Sequence, residues 1–200
     1  MNQVETTKSL SASIWGCSND EVYPEDVSDS FPWIRQHTLM LVMNSQRETM
    51  LIALGADGKP MVFRYQAGVA ANLETFNQLL HIERIKLPTG IPPLQLAQAA
   101  RCFLLGLGGM VGSPAFLEEQ KDSLDLWTSR AGAGGMETFT RQCDDPLLTR
   151  HGDQWDLQFS IFNAQGGVER WHVSGDAQNL GTATFDLVVP DNTFVFPYGW

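Results

Sequence analysis

GDQWDLQFSIFNAQGGVERWHVSGD, residues 152–176, decides how the second half of this chain folds. Trp155, Leu157, Phe159 and Ile161 alternate with Asp156, Gln158 and Ser160. After a break, Trp171 and Val173 alternate with Arg170, His172 and Ser174. A period of two is the mark of a strand with one buried and one wet face. Two such strands joined in a hairpin must put their apolar residues on the same side. All of those residues are odd-numbered, so odd must pair with odd. A three-residue loop at Ala164-Gln165-Gly166 meets that parity, with glycine where the backbone turns left-handed. Two- and four-residue loops do not meet it. TATFDLVVP, residues 182–190, reads as a third strand with Phe185, Leu187 and Val189 on the same apolar side.

The hairpin then lines up Asp156, Gln158, Ser160, Arg170 and His172 on its other face. This set holds an acid, a base that titrates near neutrality and a hydroxyl. It is the candidate binding surface. An ordinary solvated sheet face has the same composition.

Upstream, HTLMLVMN (37–44) is apolar almost throughout and reads as a strand covered on both faces. TMLIALG and PMVFRYQ follow, separated by Asp57-Gly58, a hairpin turn signal. Together they predict an antiparallel meander over about residues 38–66. NLETFNQLLHIERIKLP (72–88) allows either a helix or an extended tail. Residues 93–107 predict a helix, with Leu96, Ala100, Phe103 and Leu107 on one side and Gln95, Gln98 and Arg101 on another. Ser113 and Pro114 suit the start of a second helix. The two helices make a hairpin over about 93–128.

GLGGMVG (106–112) lies between them. A dinucleotide loop follows a strand and spaces its glycines GxGxxG. Here a helix precedes, Val111 stands at the sixth position, and no Lys-Ser or Lys-Thr follows. The cluster therefore reads as a helix stop, with glycine supplying the left-handed residue. AGAGG (131–135) reads as a connector.

The expected fold class is α+β. The meander at about 38–66 and the C-terminal antiparallel strands at about 154–190 pack with the helical hairpin, and residues 1–200 close into one domain. Residues 1–36 read as an irregular acidic segment, with Asp20, Glu21, Glu25, Asp26 and Asp29 on a solvated loop. Their spacing does not match a calcium loop.

Thirteen basic residues against 23 acidic ones leave a net charge of −10. Such a surface disfavours nucleic acid and anionic membranes as partners. No apolar run reaches the length of a membrane span, and the N-terminal residues do not read as a secretory signal. Three widely spaced cysteines, Cys17, Cys102 and Cys143, form no CxxC pair and read as thiols of a reducing, cytoplasmic setting. His37 and His81 stand isolated in sequence, and no metal-ligand spacing or cofactor motif is present. Asp144 and Asp145 make Cys143 a poor thiolate despite His151 nearby. The expected function is a non-catalytic interaction or ligand-binding domain whose partner is a basic protein or a small ligand. The alternative is a hydrolase-type enzyme that brings Cys17 or Cys143 to a distant histidine. The C-terminal TFVFPYGW is expected to pack back and complete the core.

Overall fold

A strand without a polar side has to be covered above and below, and the meander is. The computed structural model describes residues 2–56, 58–106, 146–162 and 167–190. Its first sheet contains β1 (Val22–Asp26), β2 (His37–Asn44), β3 (Thr49–Gly55) and β4 (Pro60–Arg64), antiparallel and adjacent in chain order. Met40, Val42, Met50, Ile52 and Leu54 point to one side. There they pack with Ala12 of helix α1 (Gln3–Trp15), flanked by Leu10, Ile14 and Trp15. Leu39, Leu41, Leu51, Ala53 and Phe63 are buried on the opposite side. The ring of Phe63 meets Phe103 edge-on at 4.9 Å, and Phe103 stacks on Phe76 at 4.6 Å. Phe76 lies in helix α2 (Gly68–Ile82), and Phe103 in helix α3 (Pro93–Leu105). Gly58 takes a positive φ of +74° at the β3–β4 turn, as the Asp-Gly signal requires.

The second sheet contains β5 (Leu147–His151), β6 (Gln154–Phe162), β7 (Val168–Gly175) and β8 (Leu180–Val189), again antiparallel and in chain order. Every β6–β7 pair joins odd to odd or even to even, with Phe159 opposite Trp171. The predicted register therefore holds, while the loop that closes it lies outside the described residues. Trp155, Leu157, Phe159, Trp171 and Val173 are all buried. Trp171 stacks on Phe159 at 6.0 Å and on Phe185 at 4.8 Å, and its indole N–H donates to Glu169 Oε2 at 2.8 Å.

The chain is thus α+β, with two four-stranded antiparallel sheets and helices among the described residues. It divides into two compact units. Residues 1–86 and 99–110 form one, and residues 87–98 and 111–200 form the other.

Five expectations need correction or completion. The N-terminal segment is not irregular: α1 is capped by Asn2, whose side chain accepts from the Val4 amide, and by left-handed Gly16. Part of the acidic stretch is the edge strand β1, with Glu25 and Asp26 exposed. The ambiguous stretch after residue 70 is helical through Ile82. Arg101 is not on a wet face but buried, because α3 is covered almost all round. Phe185 and Leu187 do share the side of Trp171, but they lie exposed on the last strand. Val189 is set apart from them by a register shift. The second arm of the helical hairpin, the connector at 131–135, Cys143 and the C-terminal aromatic tail lie outside the described residues.

Gly106 answers for the start of the glycine cluster. It follows α3 with φ +62°, and its N–H donates to Phe103 O at 3.3 Å. A Cβ there would sit 2.5 Å from the backbone of Arg64. Both the left-handed turn and the close approach require glycine. The rest of the cluster lies outside the described residues.

Candidate functional site

Alternation along β6 and β7 decides which side chains meet on the wet face. Gln158 stands opposite His172, Ser160 opposite Arg170, and Asp156 opposite Ser174. β5 brings Thr149 beside Asp156 and Leu147 beside Gln158. β8 adds Thr182, Thr184 and Asp186 beside Ser174, His172 and Arg170. All five residues singled out from the sequence therefore share one face.

They do not form one cluster. Asp156, Gln158 and His172 line an open hollow of about 200 Å³ together with Leu147, Thr149 and Thr182. Ser160 is buried and Arg170 half-buried, and neither lines the hollow. His151 Nε2 lies 3.8 Å from Asp156 Oδ2, with both side chains exposed. A pair so open to water and salt contributes little. Across β7 and β8 the hydroxyls of Ser174 and Thr182 are 2.7 Å apart. At the turn that follows β7, the amides of Gln178 and Asn179 donate to Asp176 and hold its carboxyl below the usual range.

Among the described residues, the hollow thus offers one carboxylate, an amide, an imidazole and hydroxyls, and no lysine or arginine lines it. Such a wall exchanges hydrogen bonds with a neutral or cationic surface. Among the described residues, no group of three or more His, Cys, Asp or Glu side chains is placed to hold a metal ion.

No known protein family, curated protein or solved structure matches this chain.

One polar cluster escaped the sequence reading. His37 is not isolated: its Nδ1 lies 2.7 Å from Glu83 Oε1, and both side chains are almost fully buried. Glu83 also accepts from the backbone amides of Arg35 and Gln36 at 2.8–3.0 Å. A buried carboxylate needs such donors. The arrangement pins the entry to β2 against the end of α2. The partners are far apart in sequence, and no local spacing announces them. The thiols are dispersed. Cys17 packs beside the α1-facing core, and Cys102 is buried. Burial pushes the Cys102 thiol up to about 11, against the opposing influence of the Arg101 guanidinium. Among the described residues, neither thiol is hydrogen-bonded to a histidine.

Proposed function

We propose that this chain is a non-catalytic interaction or ligand-binding domain that works through the wet face of its second sheet. The observation that supports this reading is the open hollow bordered by Asp156, Gln158 and His172. Gln158, His172 and Thr149 make no side-chain hydrogen bond to other described residues, so their polar atoms are available to a visitor. A part-open hollow suits surface contact. Acyl or phosphoryl chemistry calls instead for an enclosed cleft with a nucleophile and base in register. The net charge of −10 favours a basic partner protein, steered by complementary charge. The free thiols Cys17 and Cys102 fit a cytoplasmic setting. No helix among the described residues is long and apolar enough to cross a membrane.

The test replaces Asp156, Gln158 and His172 together with alanine. The variant is expected to keep its circular dichroism spectrum and melting temperature. It should lose partners that the native chain captures from host lysate at low salt. A folded variant that retains every partner would place binding elsewhere.

A further inference from the structure

We propose that β8 is a docking edge for an extended basic segment of another protein, which joins the second sheet as a fifth strand. This inference rests on the interaction-domain reading above and names the partner's form.

An edge strand exposes unpaired backbone donors and acceptors and invites another chain to pair. Four strands lie at sheet edges among the described residues: β1, β4, β5 and β8. Three carry ordinary protection. β1 contains Pro24, Glu25 and Asp26. β4 spans five residues and opens with Pro60. β5 also spans five residues and ends in Arg150 and His151. β8 differs in each respect. It runs ten residues, LGTATFDLVV, and between the register shifts near its two ends residues 182–187 keep regular pairing, with no proline, no lysine and a single charge at Asp186.

Its side chains also differ on the two faces. Phe185 is 41% exposed and Leu187 49%, on the side that carries Trp171. Phe185 is stacked on the buried Trp171, so it is held as a platform. Thr182, Thr184 and Asp186 face the other way, beside Ser174, His172 and Arg170. A strand added here must therefore alternate. Its apolar side chains cover Phe185 and Leu187, and its polar ones join the wet face that already holds Asp156 and Asp186, the latter beside Arg170. Charge decides what those polar residues are. A second copy of the chain would bring another −10 to the same edge. A segment bearing lysine or arginine at alternate positions relieves the repulsion instead. Backbone pairing supplies affinity in this mode, and the alternate side chains supply specificity.

The probe is a synthetic ten-residue peptide of alternating valine and lysine, fluorescein-labelled and titrated into the full chain by anisotropy. One control has the same residues in two blocks. The other carries N-methyl groups on alternate amides, which blocks strand pairing. The alternating peptide is expected to bind about tenfold or more tightly than either control, and more weakly at high salt. It should also slow hydrogen exchange of β8 amides. Phe185→Ser with Leu187→Ser, or Leu187→Ser alone if the double variant unfolds, should weaken binding by about tenfold.

Equal binding of the block peptide, or β8 amides that stay unprotected, overturns the proposal. Two other results also overturn it. In one, a dimer protects β8 without peptide. In the other, a chain ending at Pro190 binds the probe while the full chain does not. The Asp156/Gln158/His172 variant separates the two readings: if it loses its lysate partners while the peptide fails to bind, the wet face stands and the edge does not.

Discussion

Replacing Trp171 with alanine tests the second sheet at its centre. The indole is fully buried, lies between the rings of Phe159 and Phe185, and donates its N–H to Glu169 at 2.8 Å. Truncation removes the burial and both ring contacts and leaves a hole between them. The expected loss is about 3–5 kcal/mol, the range for large aromatic side chains cut to alanine in a core. Trp171→Phe separates the terms. It keeps a ring between Phe159 and Phe185 but removes the donor to a carboxylate and the indole's second ring, for an expected loss of at least about 1.5–3 kcal/mol. His172, one residue on, is exposed on the opposite face, and His172→Ala should cost no more than about 0.5 kcal/mol. Urea unfolding followed by far-UV circular dichroism reads all three as midpoint shifts at constant slope. If His172→Ala shifts the midpoint as far as Trp171→Ala, the assignment of faces is wrong, and the candidate surface falls with it.

Gly106→Ala should destabilise by about 2–4 kcal/mol in thermal melts. The new Cβ meets the Arg64 backbone at a left-handed position, and a variant of native stability would refute that approach. Glu83→Gln should lose at least about 1.5–3 kcal/mol, because His37 and two backbone amides then face a neutral acceptor. Hydrogen exchange at Arg35 and Gln36 should accelerate with it, and unchanged exchange would count against the pinning role. Cys102, with its thiol raised to about 11, should resist iodoacetamide at pH 8 until the chain is unfolded, whereas half-buried Cys17 reacts first. Peptide mapping of the labelled thiols decides. Asp176 has a lowered native value, so the stability it contributes is complete above the ordinary aspartate value. It is lost as pH falls through the lower native one. An NMR titration placing Asp176 at or above the ordinary value would contradict the Gln178 and Asn179 amide bonds.

What the sequence made legible is what local periodicity encodes. The alternation at 155–161 and 170–174 set the faces and the parity of pairing. The Asp57-Gly58 turn and the apolar runs around it set the meander. The glycine after Leu105 marked a helix end. What escaped had weak or distant signals. Helix α1 buries Thr7, Ser11 and Ala12, small or polar residues that draw no apolar stripe, although its caps Asn2 and Gly16 stood in plain view. β5 is short and mostly exposed, so it shows no alternation to read. β1 contains a proline, which lowers any expectation of a strand, yet an edge position tolerates it. The His37–Glu83 pair and the burial of Arg101 depend on tertiary placement, and no spacing along the chain encodes them. On the candidate face, parity placed all five residues on one side. It did not separate Ser160 and Arg170 from the hollow, because depth along a twisted sheet is not a matter of odd and even.

The discontinuity of the first unit bears on how the chain matures during synthesis. Both sheets keep their strands in chain order, so each grows by successive hairpin closure, with no strand threaded between two others. The first sheet, α1 and α2 are complete in the chain once residue 86 is made, and they emerge before α3 does. The ring that fills their aromatic cluster is then still missing. Phe103 touches Phe31, Phe63 and Phe76, and it arrives only after residues 87–98, which belong to the second unit. In that interval the nascent sheet shows an uncovered apolar face, the kind of surface that chaperones bind and that aggregates when left alone. A ribosome stalled with α2 outside the exit tunnel and α3 still inside should hold a chaperone-dependent intermediate, and one stalled after α3 has cleared the tunnel should not.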